Sequence, residues 1–69
     1  MIENELKQHE EFIAVQAALK CLKICYQEVI ALKYFERKSI KEIAIILNKK
    51  EGTIKSLLSR GIERLKKLL

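Results

Sequence analysis

The chain contains no proline and no aspartate, and it has only two glycines and two cysteines among its 69 residues. Proline and glycine are the residues that most disfavour a helix interior, so few positions here interrupt a helix. No stretch shows the apolar–polar alternation of a half-buried strand. The sequence therefore predicts an all-α protein.

The residues that carry most catalytic and metal chemistry are equally scarce. Histidine occurs once, at His9, and no glycine-rich phosphate loop is present. Cys21 and Cys25 with a single histidine cannot complete a four-ligand zinc site. We expect both cysteines to be buried small apolar side chains on one side of a helix. The sequence predicts no enzyme, no metal and no cofactor.

Long apolar runs are absent as well. The longest is the five-residue segment from Ile43 to Leu47, far below the roughly 20 residues that cross a membrane. The N-terminal segment MIENELKQHEEF is acidic and polar, unlike a signal peptide. We expect a cytoplasmic protein without membrane contact, folded as one small domain over residues 1–69.

Charge divides the chain into two unequal halves. Residues 1–36 hold four lysines and six glutamates, whereas residues 37–69 hold ten lysines or arginines and three glutamates. A concentrated basic field attracts polyanions and speeds their association. A nucleic acid is therefore the partner that the C-terminal half favours, although a solvated lysine-rich helix surface would show the same composition.

Apolar periodicity predicts four helices. They run from near Glu5 or Glu10 to about Leu22, from about Tyr26 to Phe35, from Ser39 to Leu47 and from Glu51 towards Lys67. The predicted inner faces are Phe12, Val15, Leu19 and Leu22 on the first helix, and Val29, Leu32 and Phe35 on the second. Nothing breaks the chain at Lys23-Ile24-Cys25, but an unbroken rod of about 39 Å would not fold back on two short helices, so we expect a bend there.

The last two helices form the most informative pattern. Ser39 with Glu42 makes a capping box at the start of the third helix. Asn48, which tolerates the left-handed conformation, is suited to end it. A polar turn of three residues, Asn48-Lys49-Lys50, then leads into a longer basic helix. This arrangement predicts a helix-turn-helix over about residues 39–67, with the small Ala44 at the crossing of its two helices.

The fourth helix carries its polar side chains away from its apolar stripe. Lys55, Ser56, Ser59 and Arg60 lie off the line of Ile54 and Leu58. Hydrogen-bond donors are what the acceptor-rich edge of the DNA major groove requires. These four residues are the candidate base-contacting set.

The segment YQEVIALKYFERKSIKEIAIILNKKEGTIKSLLSRGIERLKKLL resembles region four of bacterial RNA polymerase sigma factors, most nearly the extracytoplasmic-function class. The resemblance covers about residues 12–69. It depends most on the Gly52-Thr53-Ile54-Lys55-Ser56 run, in frame with Glu42, Ile43 and Ala44 of the preceding helix.

The resemblance implies a function and partners. Region four binds the minus-35 promoter element with its last helix, so Lys55, Ser56, Ser59 and Arg60 would face the groove, and Lys41, Lys49 and Thr53 would contact phosphates. It also implies docking on the flap of the RNA polymerase beta subunit through apolar surface of the earlier helices. An anti-sigma factor is a further candidate partner.

The chain departs from the family pattern at several positions. Leu57 stands where the family usually has a DNA-facing arginine, which removes a contact and would expose an apolar side chain near the DNA. Lys23 stands at a common proline, and Gln27 at a frequent arginine. Lys49 replaces a common apolar residue.

Two other functions remain open from the sequence. The output domain of two-component and quorum-sensing regulators shares the pattern around Ser39, Glu42 and Thr53. Alternatively, the domain is a protein-interaction module that no longer recognises DNA, with Leu57, Leu68 and Leu69 as an apolar partner surface.

Overall fold

A computed structural model describes residues 12–69, and this part of the chain is built from four helices without a strand. Helix α1 spans 12–20, α2 spans Ile24–Ile30, α3 spans Ile40–Leu47 and α4 spans Glu51–Leu68; a π-helical segment, Ala31–Phe35, extends α2. The all-α prediction is confirmed. The predicted start of the first helix, near Glu5 or Glu10, lies outside the described residues.

The predicted bend between the first two helices is confirmed. Residues 21–23 leave the helical conformation, and Lys23 is extended at φ −59°, ψ 148°. The side-chain amide of Gln27 donates a hydrogen bond of 2.7 Å to the carbonyl of Leu22. A carbonyl left without a helical partner at the end of α1 is thereby satisfied. Helix α1 ends two residues earlier than predicted, and α2 begins two residues earlier.

The second helix ends at Phe35, as predicted, but its last turns are π-helical. The Glu36 N–H donates to the carbonyl of Ala31 at 3.1 Å, and the Lys38 N–H donates to that of Leu32 at 2.9 Å. These bonds span five and six residues, so the last turns are wider than in an α-helix. Arg37 follows with φ 55°, a left-handed conformation that commonly ends helices.

The core sits where α2, α3 and α4 meet. Val29, Ile43 and Ile54, one from each helix, are completely buried. Burying a side chain of this size stabilises the fold by about 1.5–3 kcal/mol. The other buried apolar residues are Ala18, Leu19, Leu22, Tyr26, Ile30, Ala44 and Leu58.

The predicted inward orientation was wrong for two residues, Phe12 and Phe35. Phe12 and Phe35 remain 48% and 49% exposed, and their rings meet edge to face at 6.4 Å. The wider π-helical turn breaks the 3.6-residue periodicity that placed Phe35 inward. Tyr26 and Ile30 occupy the core in the second helix instead.

The prediction for the cysteines was also wrong. Cys21 is exposed and Cys25 is only partly buried. They do not lie on one helix, because α1 ends at residue 20 and Cys21 belongs to the corner. The Cys21 thiol donates a long bond of 3.6 Å to the carbonyl of Ala17.

Gly61 allows α2 and α4 to pack closely. A Cβ atom at this buried glycine would lie 3.1 Å from Cδ1 of Ile30 and 3.1 Å from Cβ of Tyr26. Three residues further along α4, the Arg64 guanidinium lies 5.7 Å from the centroid of the Tyr26 ring. This separation is within the range of a cation–π interaction. None of the described helices combines the length and apolarity that a membrane span needs.

The two glycines of α4 provide a matched test of this packing. Gly52→Ala meets nothing within 4 Å and should stabilise the protein by up to about 1 kcal/mol through helix propensity. Gly61→Ala should lose that gain, because the methyl group would push against the backbone-proximal Cβ of Tyr26. Urea unfolding would measure both variants. Equal stabilisation by the two substitutions would contradict a close α2–α4 contact at Gly61.

Candidate nucleic-acid interface

The capping box predicted at the start of α3 is confirmed. The Glu42 N–H donates to Oγ of Ser39 at 3.1 Å, and the Ser39 N–H donates to Oε1 of Glu42 at 3.0 Å. The hydrogen bond from the Ser39 backbone N–H favours the charged carboxylate and is the largest cause that lowers the pKa of Glu42, followed by the Ser39 side chain. Helix α3 therefore begins at a defined residue.

The turn of the motif is set by Asn48, as predicted. Asn48 adopts φ 53°, ψ 51°, and the Lys49 N–H donates to the carbonyl of Ala44 at 2.9 Å. This bond across five residues is typical of a Schellman ending. Lys50 then returns to an extended conformation and becomes the N-cap residue of α4.

The buried faces of α3 and α4 hold the motif together. Ile43 and Ala44 of α3 and Ile54 and Leu58 of α4 belong to one cluster of buried side chains. Because Ile54 and Leu58 face inward, α4 turns its opposite side to solvent over the whole length of the motif. That solvent-facing side carries the candidate base-contacting residues.

Two open grooves flank the turn. The first, here called the recognition groove, is lined by Lys50, Gly52, Thr53, Ser56, Leu57 and Arg60. The second, here called the turn groove, is lined by Lys41, Ala44, Ile45, Asn48, Lys49, Lys50 and Glu51. The recognition groove has two cations and no acidic side chain, so its local field favours an anion.

The predicted site residues are all exposed, but the structure does not gather them into one groove. Thr53, Ser56 and Arg60 lie together in the recognition groove, whereas Lys41 and Lys49 lie in the turn groove. At 100° per residue, Lys55 and Ser59 project from the other flank of α4. If α4 entered DNA with Ser56 at the centre of its contact face, Arg60 would lie on one side of that face and Lys55 and Ser59 on the other.

Lys50 was not among the candidate residues from the sequence, although the structure places it at both grooves. It lines both grooves, and its side chain makes no capping bond. The available signal was its position directly before a basic helix in the motif.

The expected exposure of Leu57 was also wrong. Leu57 is half-buried and packs against the core while it lines the recognition groove. Its distance from Ile54, only three positions along α4, brings it round to the edge of the buried face. Leu68 and Leu69 are exposed at the far end of α4, outside both grooves, so the three leucines do not form the continuous apolar surface of the interaction-module hypothesis.

These features define a helix-turn-helix domain with a basic outer face. Residues 12–65 match the family model of sigma-70, region 4. Over 68 residues, the chain is 32% identical to the RNA polymerase sigma-E factor of Streptomyces antibioticus and 31% identical to that of Streptomyces avermitilis. It also superposes on a chain of the RsbN–BldN complex, solved at 1.8 Å, with a TM-score of 0.82 and 31% identity. The chain belongs to the sigma-70 region 4 family, as the sequence resemblance predicted.

The matches cover nearly all of this chain but less than half of each relative. The match includes 99% of this chain but 38% of each sigma-E factor. It includes 97% of this chain and 48% of the chain in the RsbN–BldN complex. The chain thus spans less than half the length of the relatives it matches.

The capping box should make the free energy of unfolding depend on pH in the acidic range. Because the folded-state pKa of Glu42 is lowered from 4.5, its stabilising contribution is present above that value and is lost as pH falls through the folded-state pKa. Glu42→Gln keeps an acceptor oxygen but does not titrate, so its unfolding free energy should fall less steeply below pH 4.5. Urea unfolding across this window tests the difference, with Glu63→Gln, an exposed carboxylate outside any capping box, as the control. Identical slopes for the parent and Glu42→Gln would contradict the assignment.

Proposed function

We propose that this domain recognises the minus-35 element of promoters in transcription initiation, with α4 in the major groove. The observation that carries the proposal is the recognition groove, where Thr53, Ser56 and Arg60 meet on the exposed side of a sigma-70 region 4 motif. The hydroxyl of Ser56 and the guanidinium of Arg60 are donors that match the acceptors that base pairs present in the major groove. The role is non-enzymatic and cytoplasmic, and we propose that residues 1–69 act as one domain.

The site residues have different roles in this proposal. Arg60 has the fork of donors that can bind guanine bidentately, so it carries base discrimination together with Ser56. Lys55 and Ser59 contribute from the other flank of α4. Lys41, Lys49 and Thr53 are the phosphate contacts that fix the position of the domain without selecting a sequence.

RNA polymerase is the proposed protein partner, through the flap of its beta subunit. The part of the chain from α1 to the π-helical segment exposes five large apolar side chains on the less basic half: Phe12, Ile13, Ile24, Tyr34 and Phe35. Apolar surface of this kind is suited to a protein rather than to DNA. Attachment to polymerase would raise the local concentration of the domain at the promoter and compensate for few DNA contacts.

An anti-sigma factor is the second proposed protein partner. A similar chain was solved in the RsbN–BldN complex, so a chain with this fold has been found associated with a second protein. The regulator-output alternative has no comparable support. Tight sequence-specific binding by the isolated chain, without affinity for the flap, would nevertheless favour it.

Substitution of Arg60 tests the assignment of the recognition helix. Arg60→Ala should cost about 1–3 kcal/mol of binding free energy on a preferred duplex and relax specificity at one position. The preferred duplex would come from selection on a random-sequence library, and fluorescence anisotropy would measure affinity. Lys49→Ala should instead weaken binding to all sequences alike. If Arg60→Ala keeps the parental affinity and specificity, α4 does not recognise bases through this residue.

Calorimetric titration with the isolated beta-flap segment tests the polymerase contact. Ile24→Ser should weaken flap binding, because Ile24 is 72% exposed at the start of α2. Ile45→Ser is a matched control, since Ile45 is also 72% exposed but lies on α3. Equal effects of the two substitutions, or no flap binding by the parent chain, would contradict docking through the first two helices.

A further inference from the structure

We infer that Lys50 supplies a DNA-phosphate contact on the recognition groove, which an arginine in place of Leu57, as in the resembled family pattern, would otherwise be able to make. This inference rests on the proposed function. It assigns Lys50 a positioning role in DNA binding, with the phosphate backbone of a duplex as its ligand.

The recognition groove provides the geometric basis. Lys50 and Leu57 both line it, although they are seven residues apart in sequence and one precedes α4 while the other lies on it. A flexible lysine side chain at the end of the groove can therefore serve the same surface that an arginine at Leu57 would serve. Arg60 is the other cation lining this groove, so Lys50 doubles its positive charge.

The immediate surroundings leave Lys50 available to a ligand. Its residue is exposed, and its side chain does not cap α4. Gly52, two residues later in the same groove, has nothing within 4 Å of the position of a Cβ atom. The backbone beside Lys50 is thus open to close approach, which is a common use of glycine near a ligand.

Charge in the neighbourhood favours a phosphate at this end of the groove. Glu51, the acidic residue next in sequence, lines the turn groove but not the recognition groove. Lys41 and Lys49 lie across the turn groove, which Lys50 also borders. Lys50 therefore joins the two basic surfaces into one, whereas the half-buried Leu57 is held against the core and offers no charge.

The salt dependence of DNA binding tests this role without knowledge of the promoter, because phosphate contacts are independent of sequence. A labelled random-sequence duplex of about 20 base pairs would be titrated with the 69-residue chain at about 50–200 mM salt. Lys50→Ala should make the slope of log K against log salt shallower by about 0.9, the value for one phosphate. Lys50→Arg should keep the parental slope. Lys20→Ala removes one charge from α1, outside both grooves, and is the control for net charge.

Restoring the arginine tests whether the two positions serve one phosphate. In the Lys50→Ala background, Leu57→Arg should return the slope to the parental value. In the parent, the same substitution should change the slope much less, since contacts to one phosphate are not additive. Equal steepening by Leu57→Arg in both backgrounds would overturn the shared-phosphate inference.

The outcomes separate this inference from the proposed function. A parent chain that shows no salt-dependent binding to duplex DNA overturns both. A parent chain that binds, with Lys50→Ala and Lys20→Ala giving the same slope, overturns only the role of Lys50. Lys50 is exposed, so its substitution leaves the core intact. The comparison of Lys50→Ala with Lys20→Ala therefore tests the role of Lys50 even if Leu57→Arg fails to fold.

Discussion

The structure depends on the meeting of three aliphatic side chains, Val29, Ile43 and Ile54, which are completely buried. Each comes from a different helix, so their mutual burial fixes α2, α3 and α4 relative to one another. The hydrophobic effect supplies the attraction, and Gly61 removes the side chain that would keep α2 and α4 apart. The orientation of the solvent-facing side of α4 follows from this contact, because the opposite side of the same helix is the one buried.

Local hydrogen bonds define where the helices of the motif begin and end. The Ser39–Glu42 box starts α3, and left-handed Asn48 ends it. The chain therefore enters α4 through Lys50 in one conformation, and both basic grooves border this short turn. A poorly defined turn would move Lys49 and Lys50 relative to the solvent-facing side chains of α4.

Membership of the sigma-70 region 4 family explains the architecture. At the corner before α2, the side-chain amide of Gln27 donates a hydrogen bond to the Leu22 carbonyl and satisfies the backbone there. On α4, Leu57 packs against the core while it also lines the recognition groove.

Sequence patterns alone were enough to predict the four helices, the capping box, the Asn48 turn and the exposed polar set on α4, because these features depend on local periodicity and on hydrogen bonds between near neighbours. Other features became visible only in the folded protein: the wider turns after Ile30, the exposure of Phe35 and Cys21, and the close packing at Gly61. The same is true of the position of Lys50, because only the folded turn places this residue on the border of both grooves. These outcomes depend on which surfaces meet in space, and apolar periodicity along one helix does not contain that information.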